Sequence, residues 1–221
     1  MRKPILSSLV CAFVLAGCVT VQSSEDLKTT FDSGVAAYDA GDYPKAYEIW
    51  SGIEDQDLAA MRNVAMMLRN GTGVAKNPRR AEELYGTAAE AGLPTAQADQ
   101  ADMLLKGEAG PPDPASALPL LEAAAAADHP VAEYELAQMF EAGGLVPKDA
   151  PTARKLYAAA AGHGMKEAQN RLDAMGPAPP GETAGGPGTV RLMQPAPTVA
   201  AGSGAPASPP AEAAPIRPAQ P

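Results

Sequence analysis

The chain has 221 residues, of which 46% are hydrophobic but only 5% aromatic, and its formal net charge is −9. The apolar fraction is therefore largely alanine, which suits closely packed helices and does not suit a β-sandwich, whose core wants β-branched and aromatic side chains. A surface this acidic repels nucleic acid and anionic lipid headgroups, so neither is expected as a partner.

Arg2 and Lys3 open the chain, followed by an apolar run from Ile5 to Ala16 broken by Ser7 and Ser8. The run falls short of the ~20 residues a spanning helix needs and has the length of a secretory signal. Leu15-Ala16-Gly17-Cys18 resembles the bacterial lipobox, in which small residues precede a cysteine that receives acyl chains. That resemblance implies a lipoprotein signal peptide over 1–17, cleavage between Gly17 and Cys18, and lipidation of Cys18, with palmitate among its chains. Cleavage would remove Arg2, Lys3 and Cys11 but no acid, taking the charge to −11. No cysteine follows Cys18, so the mature chain has no disulfide, thiol nucleophile or cysteine metal site. Two or more acyl chains hold stably, because each buried CH₂ contributes about 0.8 kcal/mol. Val19 stands where some bacteria place the aspartate that retains lipoproteins at the inner membrane, so the outer membrane, facing the periplasm, is expected. Residues 18–30 are expected to be the lipidated cysteine and a tether.

From residue 59 the sequence overlays on itself at a shift of 36. Ala60 meets Ala96, Ala132 and Ala168. Met67 meets Met103 and Met139, and Gly71 meets Gly107 and Gly143. Ala81 meets Ala117 and Ala153, and Leu84 meets Leu120 and Leu156. The units are 59–94, 95–130 and 131–166, without a gap. Each reads as two helices. The first covers about 58–70, 95–106 or 131–142 and stops at Gly71, Gly107 or Gly143, residues free to turn left-handed. The second starts near Pro78, Pro114 or Pro151, behind Asn77, Asp113 or Asp149, whose side-chain oxygens can accept orphan helix amides. Within it Ala81, Leu84, Ala88 and Ala89 fall on one face, which a lone hairpin cannot bury but a stack can.

Ala132-x-x-x-Leu136-Ala137-x-Met139-Phe140-x-x-Gly143-x-x-Val146-Pro147-Lys148-Asp149, continuing through Ala153, Leu156-Tyr157, Ala160-Ala161 and Gly164, resembles the Sel-one-like repeat, a variant of the tetratricopeptide repeat. The unit at 59–94 matches through Gly71-x-Gly73-Val74 and Leu84-Tyr85. The unit at 95–130 departs, with Gly110-Pro111-Pro112 in the loop and Leu121 in place of the aromatic. Ala37-Tyr38-x-x-Gly41-Asp42-Tyr43-x-x-Ala46-x-x-x-Trp50 resembles a more ordinary tetratricopeptide hairpin and is expected to cap the array over 31–58; residues 167–175 are expected as the other cap. The resemblance implies an all-α fold, a right-handed α-solenoid of stacked helix-turn-helix repeats. It also implies a concave groove lined by the first helices, where a protein or peptide segment would lie. By position, Arg62, Met66, Arg69, Asp99, Asp102, Lys106, Glu135 and Gln138 are the groove candidates.

Residues 176–221 hold 12 Pro, 11 Ala and 7 Gly among 46, too few apolar side chains to offset the entropy of ordering, so a disordered tail is expected. Its one apolar cluster is Thr189-Val190-Arg191-Leu192-Met193.

No catalytic constellation emerges. His129 and His163 fall in turns and read as exposed turn residues rather than metal or acid–base groups. Gly71-Thr72-Gly73 lacks the strand and Gly-Lys-Ser/Thr of a phosphate loop. The methionine column reads as core. No enzyme, cofactor, metal or small-molecule substrate is expected. The leading expectation is a lipid-anchored adaptor that binds an envelope protein. The alternatives are a tether to the cell-wall layer through the Pro/Ala-rich tail and, least favoured, an enzyme acting on cell-wall or β-lactam substrates.

Overall fold

The computed structural model describes residues 23–177. Among the described residues there are nine helices and no strand: α1 (Ser24–Asp39), α2 (Tyr43–Ser51), α3 (Leu58–Asn70), α4 (Pro78–Glu90), α5 (Pro94–Lys106), α6 (Pro114–Ala126), α7 (Pro130–Ala142), α8 (Ala150–Gly162) and α9 (Lys166–Met175). Each packs on the next in chain order, which makes an α-solenoid. No helix of this set is long and apolar enough to cross a membrane. The signal peptide, Cys18 and nearly all of the Pro/Ala-rich tail lie outside the described residues.

Local chemistry accounts for the helix boundaries. The Asn77, Asp113 and Asp149 side chains accept from the amides of Arg80, Ser116 and Thr152, and each is followed by a proline in the first turn. α3 and α5 stop at Gly71 and Gly107, both left-handed, with φ of 74° and 66°. A Cβ on Gly107 would come within 2.7 Å of the Pro112 ring, so sterics as well as φ demand glycine there. The Gly110-Pro111-Pro112 loop nevertheless closes like its neighbours. The Asp113 amide donates to the Leu104 carbonyl at 2.9 Å, the counterpart of Asn77 to Leu68 at 2.8 Å and Asp149 to Phe140 at 2.9 Å.

One boundary differs from expectation. Residues 24–30, read as tether, form the start of α1, because Ser23 and Asp26 cap each other's backbone amides in a capping box. α1 then lies on α2 through an aromatic group: Trp50 packs against Phe31 and Tyr38, and its indole N–H donates to the Phe31 carbonyl at 3.2 Å. Gly34 makes room for that indole, since a Cβ there would sit 2.3 Å from Nε1.

The repeated apolar columns form the core. Ala60, Ala96, Ala132 and Ala168 are fully buried, as are Ala81, Ala117 and Ala153. Met67 and Met103 are buried and Met139 packs against the core, as their column predicts. In the middle repeat Leu121 is fully buried where the outer repeats place Tyr85 and Tyr157, and Leu120 packs against both the N-terminal and the C-terminal core groups. The exchange has a polar side. The Tyr157 hydroxyl donates to Glu141 at 2.8 Å, and the Arg69 charge acts on Tyr85. Arg69 and Glu141 occupy one repeat position, where the middle repeat has Leu105. A hydroxyl needs a polar partner when buried; leucine facing leucine needs none.

Candidate functional site

The first helices of the three repeats, α3, α5 and α7, offer equivalent positions on one face: Asn63, Asp99 and Glu135 form one column, and Met66, Asp102 and Gln138 another. Side chains bridge α3 to α5 directly. Arg62 Nε donates to Asp99 at 2.6 Å. Arg69 forks onto Glu108, Nε to Oε2 at 2.8 Å and Nη2 to Oε1 at 2.5 Å, and also bonds Asp102. Lys106 closes the network on Asp102 at 2.8 Å. Five groove candidates, Arg62, Arg69, Asp99, Asp102 and Lys106, thus meet in one ion-pair ladder. Gln138 is exposed and Glu135 half-buried on α7. Met66 is 5% exposed within the core, so it supports this face from beneath rather than presenting to a partner. Glu108 belongs to the ladder but was not foreseen. It lies in the loop after α5, where the other repeats have Thr72 and Gly144, and no periodic signal marks it.

Burial sets the ladder's electrostatics. Desolvation works against charge on Arg69, yet the bonds from Glu108 and Asp102 outweigh it and hold the guanidinium protonated more firmly than usual. Burial likewise pushes the Asp102 carboxyl up, but Lys106 and Arg69 prevail and hold it below the ordinary carboxylate range. Arg69 does the same for Glu108. The last member of the column behaves oppositely. Desolvation, joined by the nearby Asp102 charge, pushes the Glu135 carboxyl up to about 7.

This face also carries unsatisfied groups. Both amide atoms of fully buried Asn63, Nη1 of Arg62 and Oε2 of Glu135 have no hydrogen-bond partner. Most buried polar groups in proteins are paired, so such a concentration on one face calls for an explanation. The Asn63 amide is enclosed by the core, so among these residues half-buried Glu135 is the acceptor placed toward a cationic side chain. No hydroxyl or thiol nucleophile is paired with a base among them, so the arrangement suits recognition.

The histidines are placed differently. His129 is half-buried before α7. His163 ends α8, with Nε2 3.8 Å from buried Glu133. Asp128, Glu133 and His163 come together as a group of metal-ligand type. Glu133 lies two residues from Glu135, about 200° around α7, so this group is off the ladder face.

A stack of nearly identical helix pairs with an ion-paired inner row defines a repeat protein of the tetratricopeptide-like class. The Sel1 repeat model matches residues 58–93, 94–129 and 130–165, and the chain is a Sel1-repeat protein. Among solved structures it resembles a Sel1 repeat protein from Oxalobacter formigenes, with 28% identity and a TM-score of 0.62 over 66% of this chain and 60% of that one. It also shares the fold of a protective antigen present in uropathogenic Escherichia coli strains, at 24% identity and a TM-score of 0.62 over 67% of this chain and 33% of that one. The chain thus spans less than two thirds of either protein. No curated protein matches it. Sel1-repeat proteins generally mediate protein–protein interactions, and their fold is generally non-enzymatic.

Proposed function

We propose that this protein is an adaptor, anchored to the bacterial envelope through lipid on Cys18, that holds a segment of another envelope protein along α3, α5 and α7. The observation that carries the reading is a row of charged side chains paired between α3 and α5 that continues on α7 into exposed Gln138 and half-buried Glu135, a carboxylate with no basic partner of its own. An ionised Glu135, close to Asp99 and Asp102, favours a lysine or arginine at that point of the partner. Met66 drops out of the contact set because it is buried; Arg62, Arg69, Asp99, Asp102, Lys106, Glu135 and Gln138 remain. The lipobox resemblance supports the anchor, and Val19 supports outer-membrane placement facing the periplasm.

The test is in-cell crosslinking from a photoreactive residue at Gln138, followed by mass spectrometry, in wild type, Cys18→Ala and Glu135→Lys. One dominant envelope protein, lost in Glu135→Lys and displaced from the membrane fraction in Cys18→Ala, is the expected result. A partner unaffected by Glu135→Lys overturns the groove assignment. Unchanged membrane association in Cys18→Ala overturns the anchor.

A further inference from the structure

Away from the ladder, the turn before α7 and the turn after α8 bring an aspartate, a glutamate and a histidine together. Asp128, Glu133 and His163 each offer one ligand atom, and the three atoms lie within 4.8 Å of one another. Their repeat positions make the grouping informative. Where Asp128 stands, the other repeats have Gly92 and Gly164; where Glu133 stands, Met61, Gln97 and Gln169; where His163 stands, Ala91 and Ala127. Each of the three residues that meet differs from its counterparts.

Two of the replacements come at a structural cost. Asp128 holds φ of 59°, the left-handed region that Gly92 and Gly164 occupy at 89° and 90° without strain. Among the described residues it is the one non-glycine with positive φ. Gln97 donates its side-chain N–H to the Ala89 carbonyl at 3.2 Å. A carboxylate at the matching position has no proton to donate. Glu133 is 3% exposed, and its Oε2 has no hydrogen-bond partner. A buried unpaired carboxylate is expensive unless a cation or donor compensates it. His163, facing Oε1 of the same carboxylate at 3.8 Å, supplies an imidazole nitrogen as a ligand.

We propose that Asp128, Glu133 and His163 form a binding site for one divalent transition-metal ion of the zinc type, which ties the turn before α7 to the turn after α8. One imidazole nitrogen with two carboxylate oxygens is a donor set suited to such a cation. Bonds of about 2.0–2.2 Å put tetrahedral ligands roughly 3.3 Å apart, so modest side-chain rotation closes the group onto an ion. Three protein ligands leave the fourth position to water. Because Glu133 is in the first turn of α7 and His163 caps α8, the ion would tie the two helices of one repeat together, and Asp128 would link them to the end of the preceding repeat, without entering the ladder face.

The test is calorimetric titration of the full-length protein with Zn²⁺, in wild type and in Asp128→Gly, Glu133→Gln and His163→Ala. Each substitution installs a residue that stands at the same position elsewhere in the array, so the fold should survive. The expected result is one zinc per chain, weakened by more than about tenfold in each variant, since even outer-shell partners of a metal are worth that much. No saturable binding, or equal binding in the triple variant, overturns the site. Should any variant unfold, the His163 ring resonances of the wild type decide: a shift complete at one equivalent of Zn²⁺ supports the site, and unmoved resonances overturn it.

Discussion

The α3–α5 and α7 stretches of the ladder face are built on the same repeat position and end in opposite electrostatic states. Asp99 is matched by Arg62, and Asp102 by Arg69 and Lys106. Glu135 has no basic partner of its own, and burial holds its carboxyl up to about 7. Identical backbone geometry therefore does not dictate the chemistry of a solenoid face. The partner one repeat away does. On the proposed reading, a row that is satisfied at one end and open at the other would give a bound segment a place to contribute energy and a direction in which to lie.

The largest way to break the contrast is Arg69→Met. It strips the charge partner from half-buried Asp102 and from Glu108, and should destabilise by about 3 kcal/mol in urea unfolding at neutral pH. The sign with pH follows from carboxyls whose folded-state values are depressed. Their contribution is present above the unfolded carboxyl values and is lost as pH falls through the depressed ones, so the gap between variant and wild type should shrink in strong acid. A gap constant from pH 7 to pH 2 would mean that the guanidinium acts by packing alone.

Glu135→Gln should work in the opposite direction. With its folded value raised, the wild-type carboxyl costs nothing below about pH 4.5, and an increasing amount as pH rises toward 7. The variant should therefore be more stable by on the order of 1–3 kcal/mol at pH 8, with no difference at pH 4. Thermal melts across that range check it, and a variant less stable at pH 8 would show that Glu135 is paired in solution.

Asn63→Leu removes a fully buried amide with no partner at either end. A leucine of similar shape should be neutral or stabilising by about 1 kcal/mol, and the crosslink from Gln138 should persist because Asn63 is enclosed. The smallest effect belongs to Lys106→Ala. Lys106 shares Asp102 with Arg69, but its side chain is 59% exposed, against 13% for Arg69. Water screens it, and a change of no more than about 0.5 kcal/mol is expected. A loss as large as that of Arg69→Met would show that the ladder is cooperative.

The local features were legible in the sequence because they depend on residues a few positions apart. The caps at Asn77, Asp113 and Asp149, the stops at Gly71 and Gly107 and the buried alanine columns stand where the period put them. Two local readings went astray for identifiable reasons. A tether over 18–30 overlooks the capping signal of Ser23 and Asp26, which starts α1 at Ser24. Met66 was placed on the groove by position, but a flexible apolar side chain beside two core residues, Ala65 and Met67, buries itself when a neighbouring helix gives it room.

Taken alone, the sequence determined the helix pairs of the three repeats, their caps and stops, and the repeated columns of the core, because a 36-residue period and helix capping are properties of short stretches of chain. The lipobox resemblance at Cys18, which lies outside the described residues, is the ground of the proposed anchor. Tertiary structure decided which charges meet. Arg69 and Glu108 are 39 positions apart, and Arg62 and Asp99 are 37. Asp128, Glu133 and His163 come from two different turns. Such meetings depend on how one repeat rotates against the next, a property of packed faces that no window of sequence contains.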